Sequence, residues 1–103
     1  MSYVIVFSDD NEIIVTDNDI DSIINSATIR LAGRAKHPPV PLYDIDAIAH
    51  DATFTYLKDK AKALAQKTGN RQMSYMNEMF TKGYYNNICY FVDNHLTIPM
   101  KFE

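Results

Sequence analysis

Hydrophobic residues near the N-terminus follow a pattern typical of a β-hairpin. Residues 3–7 and 12–16 are rich in β-branched and aromatic side chains, which favour strands. The polar segment 8–11 between them contains residues that tolerate turn geometry. This part of the chain therefore predicts two antiparallel strands joined by a short turn.

The C-terminal end predicts a second hairpin. Apolar and polar side chains alternate over residues 96–102, which is typical of a half-buried strand, and Pro99 places that strand at an edge or a bulge. Five consecutive apolar residues at 88–92 supply a partner strand, with the polar residues 93–95 as the turn. A competing interpretation is one continuous helix over residues 72–94, and the sequence leaves it open.

Amphipathic helices are predicted between the two hairpins. The first follows Asp17, a good N-cap, and extends to about Ala35, before the prolines within residues 37–41. The second begins near Asp44 and ends at the turn-forming residues 68–70.

A third, shorter helix is predicted over residues 71–82, with Gly83 as its stop. Its apolar face would comprise Met73, Met76, Met79 and Phe80. The order of elements indicates an α+β fold, in which two terminal β-hairpins form one antiparallel sheet and about three helices pack on one face of it. The length fits a single domain over residues 1–103, and the open edges of such a sheet favour a homo-oligomer.

Composition and charge argue against several classes of function. The formal net charge is −3, which is the wrong sign for a generic nucleic-acid binder, so nucleic acid is the less favoured partner. No apolar run exceeds five residues, so we expect neither a membrane span nor a signal peptide. The single cysteine, Cys89, cannot form an internal disulfide, which fits a reducing, cytoplasmic location. With only three glycines the chain has no Gly-rich phosphate loop, and we expect no cofactor.

Two acidic segments resemble fragments of metal or catalytic sites. Residues 17–21 resemble the opening of a calcium loop, but Ser22 and Thr28 stand where such a loop has glycine and glutamate. Asp46 and His50 are four residues apart on one helical face, a spacing that suits a shared metal or a carboxylate that orients a general base. Two ligands do not make a metal site, so we expect no metal, and an ordinary ion pair explains the spacing equally well.

Basic residues at the end of the first helix are the leading candidates for ligand binding. Arg30 and Arg34 lie one helical turn apart, close in sequence to Lys36 and His37. Their guanidinium groups can hold a phosphate or a carboxylate. The preference of cations for a helix C-terminus explains the same cluster without a ligand.

Tyrosines near residue 85 predict a contact surface. Tyr84 and Tyr85 would centre an exposed, tyrosine-rich patch of the kind found at protein interfaces. Cys89 follows within an apolar run and is interpreted as a core residue, because burial raises the pKa of a thiol and lowers its reactivity.

These observations favour a small non-enzymatic protein that acts by stoichiometric binding to another protein or to itself. An inhibitor or immunity-type accessory factor of a bacterium or its virus would fit. The alternative is a binder of a phosphorylated small molecule or nucleic acid through Arg30, Arg34 and Lys36. The second alternative is a metal-assisted hydrolase that uses Asp46 and His50.

Overall fold

The computed structural model describes residues 3–34 and 42–96 of the chain. Within those ranges the elements are one antiparallel pair of strands and four helices. The prediction of an α+β fold is confirmed at this level. The elements in chain order are β1 (Tyr3–Val6), β2 (Glu12–Val15), α1 (Asp17–Arg34), α2 (Leu42–Thr68), α3 (Gln72–Thr81) and α4 (Tyr84–Asn94).

The N-terminal hairpin has one face in the core and one in solvent. Ile5 pairs with Ile13 across the two strands, and both side chains are buried. Val4 pairs with Ile14 on the opposite face, where both are exposed. This alternation follows from the two-residue period of a strand. The predicted N-terminal hairpin is confirmed.

The hairpin turn is attached to the helices by side-chain hydrogen bonds. Asp9 accepts a hydrogen bond at Oδ2 from the hydroxyl of Tyr75 at 2.6 Å and another from Nδ2 of Asn70 at 2.9 Å. The backbone N–H and the hydroxyl of Ser8 both donate to the carboxylate of Glu78 on α3. The position of the sheet on the helices is therefore fixed by polar contacts as well as by its buried face.

Helix α1 begins with a reciprocal cap. The backbone N–H of Asp19 donates to Oγ1 of Thr16 at 3.2 Å, and the backbone N–H of Thr16 donates to Oδ2 of Asp19 at 2.9 Å. This is a capping box, which satisfies two backbone donors at the helix start. The structure thus assigns the N-cap to Thr16, one residue before the predicted Asp17, because Thr16 has the matching acid three residues later.

Helix α2 is the centre of the helical layer and contacts α1, α3 and α4. Its buried positions include small residues that let neighbouring helices approach closely, and Leu57 is completely buried among them. Each large apolar side chain buried in this way stabilises the fold by about 1.5–3 kcal/mol. The small buried residues of α2 are Ala49, Ala52, Ala61 and Ala65.

The predicted second hairpin is wrong, because residues 88–92 are part of α4. The chain turns at Gly83, whose φ of +81° separates α3 from α4. Tyr85, Ile88 and Val92 then face the core at helical spacing. The competing interpretation of one helix over 72–94 was closer to the structure, although Gly83 divides that segment into two helices. The described ranges therefore contain four helices, where about three were expected. The predicted strand over 96–102 lies, beyond Leu96, outside the described residues.

Helix α3 covers nearly the predicted residues 71–82, but its buried face differs from the predicted one. Met76 and Met79 are buried as predicted, but Met73 is 65% exposed and Phe80 is also exposed. Tyr75 is buried instead, since its ring packs edge-on against Phe7 of the hairpin with 4.7 Å between ring centroids. No helix within the described ranges combines the length and the apolar character needed to cross a membrane.

Candidate functional site

A mostly apolar groove opens between the first strand and helices α1 and α4. Its cavity volume is about 450 Å³, within the range typical of ligand sites, roughly 300–1,000 Å³. We call it the α1–α4 groove. It is lined by Tyr3, Asp17, Ile20, Asp21, Ile24, Asn87, Ile88, Phe91 and His95.

The apolar floor of the groove comes from side chains that only partly enter the core. Ile20 and Ile24 lie one turn apart on α1, beside the fully buried Ile23. Phe91 of α4 stacks on His95 with 4.0 Å between ring centroids. The hydroxyl of Tyr3 accepts a hydrogen bond from Nδ2 of Asn87 at 3.1 Å. These contacts hold aromatic and aliphatic groups at the surface without covering them.

The charged side chains on the rim of the groove are acidic. Asp17 and Asp21 belong to the first two turns of α1 and line the cavity, whereas no lysine or arginine of the described residues does so. Asp21 is exposed. A ligand seated on the apolar floor would therefore meet carboxylates at the edge.

A second, smaller cavity lies between α2 and α4, away from the groove. Its volume is about 200 Å³, and it contains the only cysteine of the chain. We call it the thiol pocket. It is lined by Asp46, His50, Asn86, Cys89, Tyr90 and Asp93.

Within the thiol pocket, His50 lies between Cys89 and Asp46 and is close to both. Sγ of Cys89 lies 3.7 Å from Nδ1 of His50, within hydrogen-bonding reach for sulfur. Nε2 of His50 lies 3.7 Å from Oδ1 of Asp46, an electrostatic contact longer than a hydrogen bond. The spacing of Asp46 and His50 on one helix thus produces the predicted contact, and the packing of α4 on α2 adds the thiol.

The thiol of Cys89 is protonated at neutral pH. Burial raises the pKa of Cys89, the hydroxyls of Thr53 and Tyr85 offset part of that effect, and the carboxylates of Asp46 and Asp93 raise the pKa further. Burial is also the main cause that raises the pKa of Tyr85. The interpretation of Cys89 as a buried residue is confirmed, although it lies in a helix and not in a strand.

The expected tyrosine patch is wrong at Tyr85. That side chain is 6% exposed and its hydroxyl donates to the backbone carbonyl of His50 at 2.9 Å. Tyr84 is half-buried and meets Tyr3 edge-on with 6.1 Å between ring centroids. Among the tyrosines whose side chains the structure describes, Tyr90 is the one that faces solvent, with 73% of it exposed. A binding role for Tyr84 and Tyr85 stays a prediction.

The predicted basic cluster is described only at Arg30, which is exposed on α1. Lys36, His37 and the side chain of Arg34 lie outside the described residues. Binding of a phosphate or carboxylate by this cluster therefore stays a prediction.

The resemblance of residues 17–21 to a calcium loop has a structural explanation. Asp19 is engaged by the capping box, by the hydroxyl of Tyr56 and by Lys60, whose Nζ lies 4.0 Å away. In the described part of the chain no group of three or more His, Cys, Asp or Glu side chains is arranged to hold a metal ion.

No protein-family model, curated protein or solved structure matches the chain. The roles of the two cavities are therefore inferred from the residues that line them. Sequence reasoning missed the α1–α4 groove, because its walls come from three segments distant along the chain. The one sequence signal that could have indicated it is the pair of isoleucines at positions 20 and 24 beside the acidic start of the helix.

Proposed function

We propose that the protein acts by stoichiometric, non-enzymatic binding, and that the α1–α4 groove holds an apolar segment of a partner protein that carries lysine or arginine. The observation that supports this proposal is the combination of an apolar floor of about 450 Å³ with carboxylates at its edge. Apolar cavities with a few placed polar groups are typical of binding sites.

The choice of a basic partner rests on charge complementarity. The first 21 residues contain six acids and no base, and Asp17 and Asp21 bring part of that charge to the groove. Complementary charge at the rim increases the rate of association and selects the partner, while the apolar contacts supply most of the affinity. A phosphorylated ligand would be repelled here and would have to use the separate cluster of Arg30, Arg34 and Lys36.

This proposal fits the kind of protein expected from the sequence. An inhibitor or immunity-type accessory factor of a bacterium or its virus occupies a surface of its target and needs no catalytic group. In a reducing cytoplasm the single thiol would stay reduced. A second copy of the chain is a further candidate occupant, which the experiment below distinguishes.

The test uses two peptides of equal length that differ in charge. One is an amphipathic peptide of leucine and lysine, and the other has glutamate in place of every lysine. We expect the lysine peptide to bind one to one, and more tightly than the glutamate peptide by about tenfold, measured by isothermal titration calorimetry. Mass spectrometry should recover excess peptide intact, since turnover would contradict the non-enzymatic proposal.

Matched variants locate the binding in the groove. Asp21→Lys should weaken binding of the lysine peptide, whereas Asp59→Lys makes the same change in charge at an exposed position of α2 that does not line the groove. Equal losses in both variants would contradict the groove. Light scattering that showed a dimer dissociated by Ile24→Lys would place a second copy in the groove and overturn the choice of a basic partner.

A further inference from the structure

The thiol pocket has the geometry of a site for covalent attachment, independent of the α1–α4 groove. We propose that Cys89 forms a covalent adduct with a small, uncharged α,β-unsaturated carbonyl compound, with His50 as the base that moves the thiol proton. Four observations support this: the position of the imidazole, a buried hydroxyl, the size and charge of the pocket, and the character of the thiol itself.

The first observation is the position of the imidazole. Nδ1 of His50 is 3.7 Å from Sγ of Cys89, and Oδ1 of Asp46 is 3.7 Å from Nε2 on the other side of the ring. A carboxylate beside Nε2 favours the tautomer with its proton on Nε2. Nδ1 is then free to accept the proton of the thiol, which is the relation between base and nucleophile that covalent chemistry requires.

The second observation is a buried hydroxyl beside the sulfur atom. Thr53 is completely buried, and its Oγ1 has no nitrogen or oxygen partner among the described residues. It lies close enough to Cys89 to oppose the effect of burial on the thiol. Negative charge that develops on Sγ during the reaction would strengthen this interaction, because a hydrogen bond to a charged acceptor is stronger than one to a neutral acceptor.

The third observation is the size and charge of the pocket, which select the ligand. A volume of about 200 Å³ admits a compact molecule, and Cys89 at its floor is only 3% exposed. Asp46 and Asp93 line the opening and repel anions. The side-chain amide of Asn86 also lines the pocket and offers N–H donors for a carbonyl oxygen.

The reaction balances without a further reactant. Nδ1 of His50 takes the proton from Sγ of Cys89 as the sulfur attacks the β-carbon of the enone, and a carbon–sulfur bond forms while the carbon–carbon π bond breaks. The enolate oxygen is held by a donor such as the amide of Asn86. The proton then passes from His50 to the α-carbon, which leaves a thioether and a neutral imidazole.

The fourth observation explains why the product would persist. The pKa of Cys89 is raised by burial, and a thiol of high pKa is a strong nucleophile once deprotonated and a poor leaving group. Reversal of the addition expels the thiolate, so it is slow for such a thiol. The structure thus favours one retained adduct for each molecule over repeated turnover.

The experiment follows adduct formation by intact mass spectrometry with methyl vinyl ketone as the probe. The folded full-length protein should gain the mass of one probe, and Cys89→Ala should not gain it under the same conditions. His50→Gln should slow the addition by about 10²-fold, the lower end of what a positioned base contributes. Because the His50 side chain is partly exposed, this variant should keep the melting temperature of the parent.

Three further comparisons separate the chemistry from a structural effect. Thr53→Val should slow the addition, because it removes the hydroxyl that stabilises negative charge on Sγ while it keeps the shape of the buried side chain. Asp46→Asn should slow it because Asp46 positions the imidazole, and Asp46→Glu should restore the rate. Acrylamide should react faster than acrylate, a probe of the same size with a negative charge, after each rate is divided by that of N-acetylcysteine amide.

Two results would overturn the proposal. The first is a folded protein that reacts only after it is unfolded in denaturant. The second is an equal rate in the parent protein and in His50→Gln. The first result would show that Cys89 is an inert core thiol, and the second would show that His50 does not act as its base.

Discussion

The hydroxyl oxygen of Tyr75 connects the hairpin turn to the helices through hydrogen bonds. The side chain is 1% exposed, and its hydroxyl meets Asp9, Asn70 and Thr68 within 3.0 Å. The hydrogen bond from Tyr75 is the largest of the interactions that lower the pKa of Asp9 to about 2. One buried atom thus determines both the position of the turn and the titration of its carboxylate.

Removal of this hydroxyl should have two measurable effects. We expect Tyr75→Phe to lower the free energy of unfolding by about 1.5–3 kcal/mol, the usual net value of a hydrogen bond to a charged group. The same change should raise the pKa of Asp9 toward its ordinary value of 3.8, measured by NMR titration. Tyr84→Phe is the matched control, because the hydroxyl of that half-buried tyrosine makes no described hydrogen bond. An unchanged Asp9 titration in Tyr75→Phe would contradict the assignment.

At the scale of elements, the junction between α3 and α4 depends on one glycine. Gly83 has a φ of +81°, and a Cβ atom added there would meet nothing within 4 Å. The cost of alanine at this position is therefore purely a backbone cost, about 1–2 kcal/mol for a left-handed residue. Gly33 provides the opposite case, since it lies in helix α1 with equally open surroundings.

The two glycines predict changes of opposite sign. Gly83→Ala should lower the free energy of unfolding in urea by about 1–2 kcal/mol. Gly33→Ala should leave it unchanged or raise it by up to about 1 kcal/mol, because alanine is the better helix former. A loss of similar size in both variants would show that contacts, and not backbone conformation, decide the cost at Gly83.

Helix α4 shows where prediction from the sequence failed. The run at 88–92 is β-branched and aromatic, and a continuous apolar run fits a buried strand and a buried helix equally well. Tyr85 and Val92 carry the distinguishing signal, because they are seven residues apart and share the helical face of Ile88 and Cys89. Local preference for a strand was overridden by packing against α2. The hairpin and the first three helices were predictable, since each had a clear period and a clear stop.

The candidate sites were predictable only in part. The contact of Asp46 with His50 follows from their spacing on one helix, and the sequence showed it. Cys89 lies 39 residues from His50 along the chain, so its approach depends on how α4 packs on α2. No periodicity encodes such a distance between two elements.

At the scale of the whole molecule, three carboxylates connect different elements and make the fold sensitive to acid. Asp9 joins the turn to Tyr75 and Asn70, Asp19 joins α1 to Tyr56 of α2, and Glu78 joins α3 to the turn. Hydrogen bonds lower the pKa of all three carboxyl groups. The largest effect comes from Tyr75 on Asp9, from Tyr56 on Asp19 and from Lys82 on Glu78. Protonation of these groups would weaken every one of these connections.

The direction of the pH dependence follows from the lowered pKa values. A carboxyl group whose pKa is lower in the folded state than in the unfolded state binds fewer protons when folded, so it stabilises the fold above the unfolded pKa. That contribution is lost as the pH falls through the folded pKa. For Asp9 the window extends from 3.8 down to about 2.

We therefore expect the urea midpoint of unfolding to be nearly constant above about pH 5 and to fall steadily between about pH 4 and pH 2. Asp9→Asn should be less stable than the parent at neutral pH, because the hydrogen bonds to a charged acceptor are lost, and its midpoint should fall less on acidification. The difference between the two proteins should thus shrink as the pH is lowered. A midpoint that rises on acidification, or a difference that grows, would mean that these carboxylates do not hold the hairpin, α1, α2 and α3 together.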